Sequence, residues 1–224
     1  MVVLVVLVGA YIAYFSNLYS WNDIRFAPDV LLARLTSGTT RYQWGQEARV
    51  AAAAFFVQGD YADAVPLYHL SYDIDPTRYD SLQFLSHATL LAVTKGQLPS
   101  SAATYAQVAE WDRLIIKNEP SYAMPYIDLA LTLITSGTPS DYRQIPALLN
   151  TSLARVSSDA SLSDMYKQRV HGDAYYYYAL SYSDRGNKSQ AVRYIRLALA
   201  INPTNSTYVD LAHTLGVTVP KTKS

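Results

Sequence analysis

A pattern of small residues and prolines recurs at fixed spacing in this chain, and it constrains the fold more than anything else in the sequence. Near the N-terminus, Gly59 is followed by Ala64 five residues later and by Pro76 seventeen residues later. Near the C-terminus, Gly186, Ala191 and Pro203 repeat the same intervals. Aromatic residues precede both glycines, Phe55 and Phe56 in the first stretch and Tyr175 and Tyr182 in the second. A polar residue, Asp75 or Asn202, stands before each proline. Each element has a local physical reason. Glycine ends a first helix, because the left-handed conformation found at helix ends favours it. Alanine is small where two helices touch. Proline stops the second helix and starts the next unit. The two stretches run from residue 45 to 78 and from residue 172 to 205.

On these residues the chain resembles the tetratricopeptide repeat (TPR) family, built from 34-residue helix–turn–helix units. The large family position at the head of the first helix is Tyr175 in one stretch and Ala48 in the other. The small position late in the second helix is Ala198 in one and Ser71 in the other. The resemblance implies an all-α, TPR-like α-solenoid over residues 45–215, with about four repeats and a capping helix. Between the two clear repeats the pattern is degenerate. Helices are expected at 81–94 and 101–117, around Gly96, and a further pair over 121–158, around Gly137 and Pro139. Residues 161–185 read as one extended helix, interrupted or bent near Gly172, and 206–215 as the cap that covers the open apolar end.

Residues 2–21 carry no charged side chain, and Asp23 is the first. About 20 apolar residues suffice for a helix to cross a bilayer, and Tyr19 and Trp21 stand where an interfacial aromatic belt would lie. The run has neither the basic start nor the small-residue cleavage site of a secretory signal. Gly9, Ala13, Ser16 and Ser20 fall on one helical stripe, and small stripes allow close helix packing. A lone membrane anchor and a helix that packs on copies of itself or on a partner both fit. Residues 1–21 are therefore a hydrophobic anchor or assembly helix, 22–44 a linker or helix extension broken near Pro28 and residues 37–40, and 216–224 a tail.

Composition narrows the function. The formal net charge is zero and only 16% of residues are charged, which argues against a nucleic-acid surface. With no cysteine, disulfides, thiolate metal sites and thiol nucleophiles are excluded. The four histidines, His69, His87, His171 and His213, lack metal-ligand spacing. No phosphate-binding glycine loop or serine-nucleophile motif occurs. The pair Asp73 and Asp75 fits turn and cap roles better than glycosidase chemistry. No catalytic site, metal or cofactor is expected. Tyrosine supplies 20 of the 28 aromatic side chains, which suits a contact surface as well as a core.

The family resemblance implies a partner-binding groove lined by first helices. It places Gln46, Arg49, Ala53 and Phe56 there in the first repeat, and Asp173, Tyr176, Leu180 and Ser183 in the last. Of the cationic and amide set with which some members clamp a carboxylate, only Arg49 is present. The run 175–178 of four tyrosines spans every face of a helix, so some rings belong to the core and at least one should face outward. Asn150, Asn187 and Asn205 satisfy the N-glycosylation sequon, though each also reads as an ordinary turn or helix asparagine. The leading expectation is a non-catalytic protein–protein interaction scaffold, tethered or assembled through its N-terminal helix at a membrane or the cell surface. Its partner is a protein or itself. Two alternatives are a self-assembling, glycosylated surface filament subunit and the C-terminal TPR portion of a polytopic glycan-transfer membrane protein.

Overall fold

The computed structural model describes residues 38–219, and every regular element among them is helical. The chain divides into two compact units, one ending at Ser100 and the other beginning at Ser101. The N-terminal unit contains α1 (Gly38–Gln58), α2 (Tyr61–Ile74) and α3 (Tyr79–Thr94). The C-terminal unit contains α4 (Ala102–Asn118), α5 (Met124–Ser136), a 3₁₀ turn (Asp141–Arg143), α6 (Ile145–Ser158), α7 (Asp164–Asp184), α8 (Lys188–Ile201) and α9 (Ser206–Leu215). Residues 2–21, with the stripe Gly9, Ala13, Ser16 and Ser20, lie outside the described residues. Among the described residues no helix is long and apolar enough to cross a membrane.

The two clear repeats fold as the punctuation requires. Gly59 and Gly186 end α1 and α7 with φ of 85° and 73°, a region that side chains with a Cβ avoid. Ala64 and Ala191 are fully buried at the seams between α1 and α2 and between α7 and α8. In the first seam Ser71 takes the place that Ala198 holds in the second. Its buried hydroxyl donates to the Gly45 carbonyl oxygen at 2.8 Å and lies 2.9 Å from Ser81 Oγ, so the polar atom is not stranded. The Gly59 turn is clamped from a distance. Gln97 Nε2 donates to the Gly59 carbonyl oxygen at 2.8 Å, and Gln97 Oε1 accepts from Ala62 N at 3.2 Å. Helix starts in the C-terminal unit are capped by side chains. Asn187 Oδ1 accepts from Gln190 N, Asn205 Oδ1 from Thr207 N and Tyr208 N, and Ser163 Oγ from Tyr166 N.

Three expectations are corrected. α7 runs unbroken through Gly172, which is buried in mid-helix. Glycine stands there for space. A Cβ on it would meet the Tyr208 hydroxyl at 2.8 Å, with ring atoms at 3.4 and 3.5 Å. None of the four tyrosines at 175–178 is exposed: Tyr178 is buried and the other three are half-buried, because α7 is packed by α5, α6, α8 and α9. The core also continues past residue 215. Gly216 turns the chain in the left-handed conformation, Val217 N donates to the Ala212 carbonyl oxygen at 2.8 Å, and Val217 is buried with Tyr208, Leu211 and Leu215. This is the hydrophobic contact that accompanies such a helix end.

The Gly172 notch gives a sharp test. Replacing a mid-helix glycine by alanine alone gains about 1 kcal/mol of helix propensity. Here the added methyl must displace a buried ring, and overpacking costs about 1–3 kcal/mol. Gly172→Ala is expected to lower stability by about 1 kcal/mol net. In a Tyr208→Phe background the 2.8 Å contact is gone, and the same change should be neutral or stabilising. Denaturant unfolding of the four proteins in this cycle reads the coupling. Additive effects would rule out the notch.

Candidate groove faces

In the N-terminal unit, α1 and α3 bring side chains together on one face. Arg49 Nη1 lies 3.7 Å from Asp80 Oδ2, and the Phe56 ring centroid lies 5.9 Å from that of His87. Between and beside these contacts runs a chain of polar groups. Arg49 Nε and Nη2 donate to Gln46 Oε1 at 3.0 and 2.6 Å, and Gln46 Nε2 donates to the Tyr42 hydroxyl at 3.0 Å. From the start of α3, Arg78 grips Asp80 with two parallel bonds, Nε to Oδ1 at 3.1 Å and Nη2 to Oδ2 at 2.7 Å. Its guanidinium carbon sits 4.9 Å from the Tyr42 ring centroid. The buried Nη1 of Arg78 has no hydrogen-bond partner, and the ring face beside the guanidinium offers it electrostatic compensation.

These contacts set protonation. Burial works to raise the Asp80 carboxyl, but the hydrogen bonds and charge of Arg78 outweigh it and hold the group below the usual carboxylate range. The Gln46 hydrogen bond, followed by Arg78, draws the Tyr42 hydroxyl below its ordinary value. The Arg49–Asp80 pair is part-exposed, so it contributes little to stability and chiefly orients the groups. At the other end of the face, Phe56 meets Tyr61 and Tyr68 edge-on at 5.1 and 6.3 Å, and Phe84 stacks on Tyr68 at 5.4 Å. The face therefore offers a charged, hydrogen-bonding end and an aromatic end.

In the C-terminal unit the expected groove residues are engaged by α9. Tyr208 donates its hydroxyl proton to Asp173 Oδ1 at 2.7 Å, and Tyr176 stacks on the Tyr208 ring at 5.4 Å. Arg169 Nε lies 3.8 Å from Asp173 Oδ2. Burial, and then the Asp173 charge, push the Tyr208 hydroxyl far above its ordinary value. Burial likewise raises Tyr176 and Tyr177, and takes Tyr166 to about 12. All stay protonated at neutral pH, and Tyr208 donates its proton to Asp173. Arg49 and Phe56, both half-buried, thus line the α1–α3 face, whereas Asp173 and Tyr176 hold the last helix. Leu180 and Ser183 are half-buried.

Asp80 was not singled out from the sequence, and His87 only as one of four histidines without metal-ligand spacing, though a signal existed. Adding one 34-residue period to Gln46 and Ala53 lands on Asp80 and His87. The sequon residues sit in structured positions. Asn187 and Asn205 cap helices, and exposed Asn150 on α6 accepts from the Tyr178 hydroxyl at 2.8 Å. All three use Oδ1 in these bonds. Among the described residues no His, Asp and Glu side chains cluster as a metal site.

No family model matches the chain, and no curated protein matches it. Among solved structures it is similar to the crystal structure of TTC0263, a thermophilic TPR protein of Thermus thermophilus. The two are 17% identical with a TM-score of 0.51, over 77% of this chain and 83% of that one. At that identity the likeness speaks for the fold. Together with the glycine turns and alanine seams, it shows an all-α, TPR-like architecture of consecutive helix–turn–helix repeats.

Proposed function

We propose that the chain is a non-catalytic scaffold that holds a protein segment along the α1–α3 face, and that residues 2–21 tether it to a membrane or assemble it with other copies. One observation carries the first part: Arg49, Gln46 and Asp80 share that face with Phe56 and His87. A hydrogen-bonding patch beside an aromatic one suits an extended or helical segment with both polar and apolar side chains. The apolar run of residues 2–21 supports the second part. N-linked glycans at Asn150, Asn187 and Asn205 would use the amide nitrogens, and they belong to the filament alternative.

A photo-cross-linking amino acid placed at position 49 or 56 of the full chain, in the cells that make it, tests the groove. The exposed Asp63 on α2 serves as the control position. Adducts to one or a few partner proteins are expected from 49 and 56, with few or none from 63. Equal labelling from all three positions, or none from the groove positions, would overturn the groove assignment.

A further inference from the structure

The end of α7 and the outer side of α8 carry charge of one sign. From Arg185 to Val209 the chain has four cationic side chains, Arg185, Lys188, Arg193 and Arg196, and no acidic one. All four are exposed. Among the described residues none of them has a carboxylate within ion-pair distance. The preceding acid, Asp184, accepts from the Tyr142 hydroxyl at 3.3 Å. Residues three apart on a helix are neighbours and like charges there repel, so Arg193 beside Arg196 works against the fold.

The repeat itself does not ask for these cations. Pairing Gly59 with Gly186 sets Gln58, Tyr61, Pro66 and His69 opposite Arg185, Lys188, Arg193 and Arg196. The matching helix, α2, forms without a single Lys or Arg.

Two of the arginines are also held in place. The guanidinium carbon of Arg185 lies 4.6 Å from the Tyr182 ring centroid, and that of Arg193 lies 5.7 Å from the Tyr194 centroid. The two rings stack at 5.6 Å with their planes 9° apart, so one tyrosine set supports both cations. Arg185 Nε donates to the Ser181 carbonyl oxygen at 3.0 Å, and its two Nη groups have no hydrogen-bond partner among the described residues. A guanidinium stays charged and offers a planar fork that matches a carboxylate. Side chains already fixed lose little freedom on binding, and Tyr and Arg are enriched at protein interfaces while Lys is depleted. A lipid surface is better met by flexible lysines and a set of exposed apolar side chains. Here three of the four cations are arginine, and Leu197 is the large apolar side chain exposed on α8.

We propose that this face of the C-terminal unit docks an acidic protein segment, whose carboxylates pair with Arg185 and Arg193 while Lys188 and Arg196 extend the positive field. The surface is separate from the α1–α3 face, so one chain would hold two segments.

The full chain in nonionic detergent, titrated with a fluorescent peptide of alternating glutamate and alanine, tests this by anisotropy. The peptide should bind, and its glutamine counterpart should not. Arg185→Gln with Arg193→Gln should weaken binding about tenfold or more. Arg113→Gln with Lys117→Gln removes the same charge from exposed positions of α4 and should stay within about twofold of the parent. Arg185→Lys with Arg193→Lys keeps the charge but not the fork, and should weaken binding about threefold or more. All these side chains are exposed, so each variant should melt with the parent. Absence of binding would overturn the proposal. Equal losses in the two glutamine variants would do the same, by showing a response to net charge alone, and so would a lysine variant that binds as tightly as the parent. Displacement of the peptide at lower concentration by phosphatidylserine in the micelles, or by a single-stranded oligonucleotide, than by unlabelled peptide would also overturn it, giving the surface to lipid or nucleic acid. Cross-linking at positions 49 and 56 reads the other unit, so the groove assignment and this one fail separately.

Discussion

Tyr178→Ala should cost the C-terminal unit about 3–5 kcal/mol, the range for removing a large buried ring. The side chain is only 4% exposed and stacks on Tyr194 at 4.6 Å and Tyr182 at 6.3 Å. Its single hydroxyl proton is shared between the Pro146 carbonyl oxygen and Asn150 Oδ1. Burial, followed by the neighbouring Tyr194 and Tyr182, raises its pKa, in keeping with a ring held inside. Tyr178→Phe keeps the ring and removes the proton, so about 1–2 kcal/mol should be lost. Denaturant melts of the two variants separate the terms. A Tyr178→Ala loss no larger than that of Tyr178→Phe would mean the ring is not a core element.

Ala191→Trp is expected to cost about 1–3 kcal/mol and to be among the most damaging single changes. Ala191 is fully buried in one cluster with Ala179 and Ala198, where α7 and α8 lie close together. An indole there must push the two helices apart, and every neighbour in the seam would lose contact. Ala200 is on the same helix but exposed. Ala200→Trp should therefore stay within about 0.5 kcal/mol of the parent. Thermal unfolding of both variants checks the register of the last repeat: equal melting temperatures would show that Ala191 is not at the seam.

The two alanine variants carry the same substitution on the same helix, so burial is the variable that differs, whereas the two Tyr178 variants share one site and differ in whether the ring is kept. That matters for the tyrosines in particular. Tyr178, Tyr182 and Tyr194 form a stacked set, with Arg185 over Tyr182 at 4.6 Å. A composition rich in tyrosine is compatible with a sticky surface or a packed core. Here a large share of the rings near α7 and α8 went into the core, with their hydroxyls aimed at acceptors such as Pro146 and Asp173.

What the sequence determined by itself was the repeat and its helix–turn–helix class. Glycine at a left-handed turn, alanine at a seam and proline after a helix act through sterics within a few residues, so Gly59, Ala64 and Pro76 were legible without neighbours, as were Gly186, Ala191 and Pro203. The cap at Ser206–Leu215 was legible for the same reason, through its local period. Tertiary structure alone decided what each face meets. Gly172 reads locally as a helix breaker, but Tyr208 from α9 makes it a notch. Asp173 and Tyr176 occupy groove positions by register, yet α9 takes them up, while Gln46 and Arg49 at the matching places bond to each other and Arg49 reaches Asp80 of α3. Asp80 and His87 join the α1–α3 face only because side chains of α3 reach those of α1. The physical reason is that a helical period states which residues share a face, and only the neighbouring helices state whether that face is buried, bonded or free.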